Sequence, residues 1–152
     1  MKRVIAAAAL LAAAFFGYRY YDTSYAPEKN YKEFAEEMLK RHYDTAATMT
    51  DGLTAQDLAK AGTQEKIGAG PAMFQTLFPS RFNIESRTAT NLGVTLHAVQ
   101  TVLFNPPGVE SAVRPAMYAT LNQTVTLRKT SDGWKVTSFE NRLDKMDSLA
   151  AR

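Results

Sequence analysis

MYATLNQTVTLRKTSDGWKVTSFEN, Met117 to Asn141, is the stretch whose reading decides the fold. Met117, Ala119, Leu121, Val125 and Leu127 fall on one parity, and Tyr118, Thr120, Asn122, Thr124, Thr126 and Arg128 on the other. Side chains alternate faces along a strand, so this segment has one apolar and one polar face. Thr130 to Gly133 supplies a turn, with Gly133 free to take a positive φ. The chain returns through Trp134 and Val136 on the apolar parity, and a loop of two or of four residues sets Leu127 and Val136 on the same face. A lone hairpin is marginal in water, so its apolar face, Trp134 included, needs a covering layer.

Composition is consistent with one such layered domain. The 152 residues are 45% hydrophobic and 22% charged, enough for a real core. The absence of cysteine excludes a disulfide scaffold, a thiolate metal site, a cysteine nucleophile and a lipid-modified N-terminal Cys. A net charge of +3 is spread along the chain rather than gathered into a basic patch, so no nucleic-acid partner is expected.

At the N-terminus, Met1-Lys2-Arg3 precedes an apolar run from Val4 to Gly17, followed by Tyr18, Arg19, Tyr20 and Tyr21. Two readings compete. A cleaved signal peptide would use Ser24-Tyr25-Ala26 as its small-residue site, against which stand Pro27 and the long polar stretch before it. The favoured reading is an uncleaved single-span anchor over residues 1–22, with Val4, Leu10, Phe15 and Phe16 in lipid and Tyr20 in an interfacial belt of tyrosines. A helix from Val4 to Tyr21 reaches roughly 27 Å, slightly under the roughly 30 Å hydrocarbon core. Lys2 and Arg3 would hold the N-terminus inside.

Residues 23–30 read as a linker, and 31–142 as the folded domain. Tyr31, Phe34, Ala35, Met38, Leu39, His42, Ala46 and Met49 recur at helical spacing, predicting one long helix from about Glu28 to Met49. Thr54 and Asp57 predict a capped short helix to Ala61. Residues 63–78 read as a further helix, broken into two pieces or kinked at Gly68, Gly70 and Pro71. Gly68-Ala69-Gly70 is no phosphate loop, because no strand precedes it. After Pro79 the period becomes two: Phe82 to Thr88, then Val94 to Phe104, then the hairpin. Residues 143–152 read as a short terminal helix. The fold class is therefore α+β: an N-terminal transmembrane helix, then a long helix and short helices on a curved four-stranded antiparallel meander.

The end of the long helix, His42-Tyr43-Asp44-Thr45-Ala46-Ala47-Thr48-Met49-Thr50, with short helices after it and a meander closing on Asp132-Gly133-Trp134-Lys135-Val136, resembles the nuclear transport factor 2-like superfamily. That resemblance implies a cone, in which a curved sheet wraps the first helix. Its enzymes, isomerases and dehydratases among them, work inside the cone; other members are scaffolds or non-catalytic periplasmic domains, so the fold does not decide function. The position comparable to the isomerases' tyrosine is Phe34, which donates no proton. The best acid–base set is His97 with Asp44 or Tyr31. No metal or cofactor is expected, since His42, His97 and the scattered acids have no ligand spacing. On the polar sheet face Tyr118, Asn122, Phe139, Val99 and Leu103 are the candidate partner contacts. These readings converge on a non-catalytic, membrane-anchored accessory or assembly subunit of a multiprotein membrane complex, of secretion or respiratory type. Its partners would be the other subunits and the lipid bilayer, in the bacterial inner membrane with the domain in the periplasm, or else in the mitochondrial inner membrane. The alternative is a small exported enzyme or ligand-binding protein using the cone pocket.

Overall fold

A computed structural model describes residues 2–64, 75–105 and 117–148, and the side chains of 7–61, 80–103 and 117–147. The chain opens with α1 (Lys2–Tyr20), passes through a π-helical turn (Tyr21–Tyr25) and continues as α2 (Ala26–Leu39). The expected linker at 23–30 is thus helical. Two short helices follow, α3 (Tyr43–Thr48) and α4 (Ala55–Gln64). The sheet is a meander in the order β1-β2-β3-β4, with β1 at Gln75–Thr90, β2 at Gly93–Asn105, β3 at Met117–Thr130 and β4 at Gly133–Ser148. All neighbours are antiparallel.

The membrane-spanning helix expected over residues 1–22 is overturned. Among the described residues no helix is long and apolar enough to cross a membrane. Lys2, Arg3 and Arg19 bracket a run dominated by alanine, which falls short of the roughly 20 strongly apolar residues that a span needs.

The long helix stops earlier than its periodicity suggests. Arg41 takes a left-handed φ of 62°, its N–H bonds Met38 O at 3.1 Å, and His42 N–H bonds Glu37 O at 3.0 Å. This pair of bonds is the Schellman closure of a helix C-terminus, here with arginine where glycine is usual. The Glu37 carboxylate fixes the turn, accepting from Lys40 Nζ at 2.7 Å and lying 2.8 Å from His42 Nδ1. Those two contacts, Lys40 first, hold the Glu37 carboxyl below its ordinary value. α4 begins with the expected capping pair: Asp57 N–H donates to Thr54 Oγ1 at 3.2 Å, and Thr54 N–H to Asp57 Oδ2 at 3.1 Å. Two expected helices fall elsewhere. Gln75 to Phe78 lie in β1, residues 65–74 lie outside the described set, and Leu143 to Ser148 extend β4 rather than forming a helix.

The central hairpin forms in the expected register, Leu127 opposite Val136, with Gly133 at φ 106°. One face of the sheet receives α2. Tyr31, Phe34, Ala35, Leu96, Val125, Leu127 and Val136 are 0–1% exposed, joined by Ala46 of α3 and Leu58 of α4. Irregular register near Glu85 and at Thr137 and Asp144 inverts strand parity locally. Arg87 is thereby turned to the helix side, where it binds Ser24 O at 2.7 Å and the Glu28 carboxylate. Phe139 turns the same way. The edge of β4 is covered near its start, because Asp51 N–H donates to Val136 O at 2.8 Å and Val136 N–H to Met49 O at 2.9 Å.

Gly93 gives a direct test of the β2–β3 pairing. A Cβ there would lie 2.1 Å from Leu127 O, a backbone atom that the ladder holds in place. Gly93→Ala is expected to lose about 1–3 kcal/mol in urea unfolding, the usual range for overpacking.

Candidate functional site

The space between α2 and the sheet holds a polar chain that crosses from helix to sheet. Tyr31 lies on the buried side of α2 and donates its hydroxyl to Gln123 Oε1 on β3. Gln123 Nε2 donates to Gln100 Oε1 on β2 at 2.7 Å and to Asn141 Oδ1 on β4 at 3.0 Å. Gln100 Nε2 donates to Ser80 Oγ at 2.9 Å, and Ser80 returns the chain to α2 by donating its N–H to Glu36 Oε1 at 3.1 Å. Gln100 is 0% and Gln123 3% exposed. The main line donates in one direction from Tyr31 to the Glu36 carboxylate, with one branch to Asn141, so the buried amides are satisfied. Amides neither accept nor release protons near neutral pH, and the chain is therefore a scaffold rather than a proton path.

Around it the space is filled with rings. Phe82 meets the Tyr31 ring edge-on at 5.6 Å, and Phe139 meets Phe34 edge-on at 5.0 Å. Burial pushes the Tyr31 phenol well above its ordinary value near 10. Below that pH both folded and unfolded chains keep this proton. Above it the unfolded chain releases the proton and the folded one holds it, so stability falls as pH rises. The expected contribution is a loss of no more than about 1.4 kcal/mol per pH unit above pH 10. Urea midpoints between pH 9 and pH 11 should show a flatter decline for Tyr31→Phe than for the parent chain.

The acid–base set read from the sequence is not assembled. Tyr31 is inside, His97 is exposed on the opposite sheet face, and Asp44 is exposed in the first turn of α3. Among the described residues no three His, Cys, Asp or Glu side chains are grouped to hold a metal. The feature that sequence reading missed is the glutamine pair. Both Gln100 and Gln123 lie on the apolar parity of neighbouring strands, and that was the available signal.

The face turned away from the helices carries most of the proposed contacts. Asn122 is exposed, Val99 and Leu103 are half-buried, and Tyr118 is 9% exposed with its hydroxyl donating to Asp147 Oδ2 at 2.8 Å. Phe139 does not belong there: the irregularity at Thr137 turns it inward against Phe34. A depression of about 430 Å3 on this face reaches all four strands, with Glu85, His97, Asn122, Thr124, Glu140 and Arg142 among its lining. His97 Nδ1 lies 3.2 Å from Thr124 Oγ1.

α1 is the other distinctive surface. Every residue from Ala7 to Tyr20 is exposed, with Leu10 at 73%, Leu11 at 72%, Phe15 at 58% and Phe16 at 67%. Val4 lies in α1, but its side chain is outside the described set. Where α1 joins the domain, the hairpin tips grip the π-helical turn. Lys129 reaches the Asp22 carboxylate, Trp134 Nε1 donates to Asp22 O at 2.8 Å, and Arg87 takes Ser24 O. No protein-family profile, curated protein or solved structure matches the chain. The likeness to the nuclear transport factor 2-like superfamily rests on residues and element order alone.

Proposed function

We propose that this chain is a non-catalytic assembly subunit of a larger membrane-associated complex, acting through protein contacts. The observation that carries the reading is α1: a helix apolar on every side, exposed along its described length, fixed at its base to a domain with a filled interior. A helix apolar all round is stable in water only when enclosed. One partner helix would cover a single stripe. Leu10 and Leu11, like Phe15 and Phe16, are about 100° apart around the axis, so enclosure takes a pocket built from several partner helices. The grip of Lys129, Trp134 and Arg87 on the π-helical turn gives the domain a set orientation relative to that pocket. The enzyme reading draws no support from the dispersed positions of Tyr31, His97 and Asp44.

Photo-crosslinkers placed singly at Leu10, Leu11, Phe15 and Phe16 in the native host test this. All four positions are expected to give adducts with the same subunits, while Leu92, 83% exposed on the β1–β2 turn, gives none. A full-length chain that stays a monodisperse monomer without detergent and crosslinks at none of the four positions would refute the proposal.

A further inference from the structure

The depression on the outer sheet face holds charges that the fold does not use. Among the described residues Glu85, Glu140 and Arg142 enter no ion pair, whereas Glu28, Glu37, Asp22 and Asp51 are all engaged. The ladder fixes their layout. Glu85 sits at the β1 irregularity beside Ser86, which pairs with His97; His97 pairs with Thr124, and Thr124 with Glu140. One transverse row therefore reads Ser86, His97, Thr124, Glu140, with the unpaired Glu85 bulged beside Ser86 into the same depression and Arg142 one same-face step along β4. Neighbouring strands lie about 4.8 Å apart, so the backbone positions of Glu85 and Glu140 stand roughly 14 Å apart on the first and fourth strands. Among the described residues of the lining none is aromatic, so they offer no stacking platform for a sugar or nucleobase.

We propose that this depression binds an extended basic peptide segment running across the strands, with two cationic side chains four residues apart. An extended chain rises about 3.3–3.4 Å per residue, so positions i and i+4 are roughly 13–14 Å apart and project to the same side. That spacing matches the separation of Glu85 and Glu140. His97, Thr124 and Asn122 lie between the ends and offer hydrogen bonds to the peptide backbone, and Arg142 disfavours a cation placed off the row. The chain as a whole carries +3, so its overall field repels such a segment and capture has to be local. This site is separate from α1 and does not depend on the assembly proposed for it.

The probe is the peptide Lys-Gly-Thr-Gly-Lys, titrated into the 15N-labelled full chain in neutral detergent at low salt and followed by NMR. Amide shifts are expected at residues 96–98, 122–124 and 140–142, and Gln-Gly-Thr-Gly-Gln should give none. Glu85→Gln and Glu140→Gln should each weaken binding by about 1.5- to 5-fold, the range for exposed ion pairs. Glu33→Gln, on the solvated side of α2, should leave it unchanged, and raising salt to 0.5 M should abolish it. The proposal is overturned if the neutral peptide binds equally, if the Glu85→Gln/Glu140→Gln double variant binds like the parent, or if the shifts fall on α2.

Discussion

Phe34→Ala is expected to lower the unfolding free energy by about 3–5 kcal/mol. Phe34 is 0% exposed, its ring set edge-on to Phe139 between α2 and the sheet. Truncation removes the transfer free energy of the ring and leaves a cavity. How far a site relaxes governs the second cost, and here relaxation is restricted. α2 is held in its first turn by Arg87 on Glu28 and in its last turn by Ser80 on Glu36. It cannot settle onto the sheet without breaking those contacts. A loss of this size is a large share of the roughly 5–15 kcal/mol that holds a domain together. Urea unfolding followed by Trp134 fluorescence reads it directly. A Phe34→Ala chain with an unchanged midpoint would mean that the interior has room at this position, which reopens the pocket reading.

What the sequence discloses of this fold is governed by period. The alternation through β2 and β3 sets the core face, and the Thr54–Asp57 pair sets a helix start, because each is a short-range rule with one geometric solution. Three features lack such a rule. Irregularities at Glu85, Thr137 and Asp144 break parity without a glycine or proline to announce them, so Arg87 and Phe139 end on the side opposite to that which counting gives. The stop at Arg41 uses an arginine in a left-handed conformation, held by the Glu37 contacts rather than by intrinsic preference. Trp134, expected deep in the core, is half-buried at the hairpin tip because its indole N–H reaches the Asp22 carbonyl. The anchor reading failed on a matter of degree: alanine is apolar enough to suggest a span and too weakly so to provide one. The outer depression was out of reach, since Glu85 and Glu140 are 55 residues apart and only the ladder aligns them.

Gln123→Leu is expected to cost about 2–6 kcal/mol, although it replaces an amide by an apolar side chain of similar size in an apolar setting. The cost comes from the partners left behind. Tyr31 Oη loses its acceptor and Gln100 Oε1 loses its Gln123 donor. Both residues are 0% exposed, so water does not replace what is lost. Each buried group stranded in this way costs about 1–3 kcal/mol. The same logic makes the effect non-additive. Tyr31→Phe removes the hydroxyl that Gln123→Leu strands, so the double variant should be more stable than the sum of the two single losses by about 0.5–3 kcal/mol. A control pair, Gln123→Leu with Gly93→Ala, shares no partner and should add within about 0.5 kcal/mol. Equal additivity in both pairs would show that Tyr31 and Gln123 are neighbours without being coupled. A positive coupling confined to the Tyr31 pair would identify the polar chain as the element that fixes α2 in register over the sheet. The amides then set α2's position and the rings around them supply the stability.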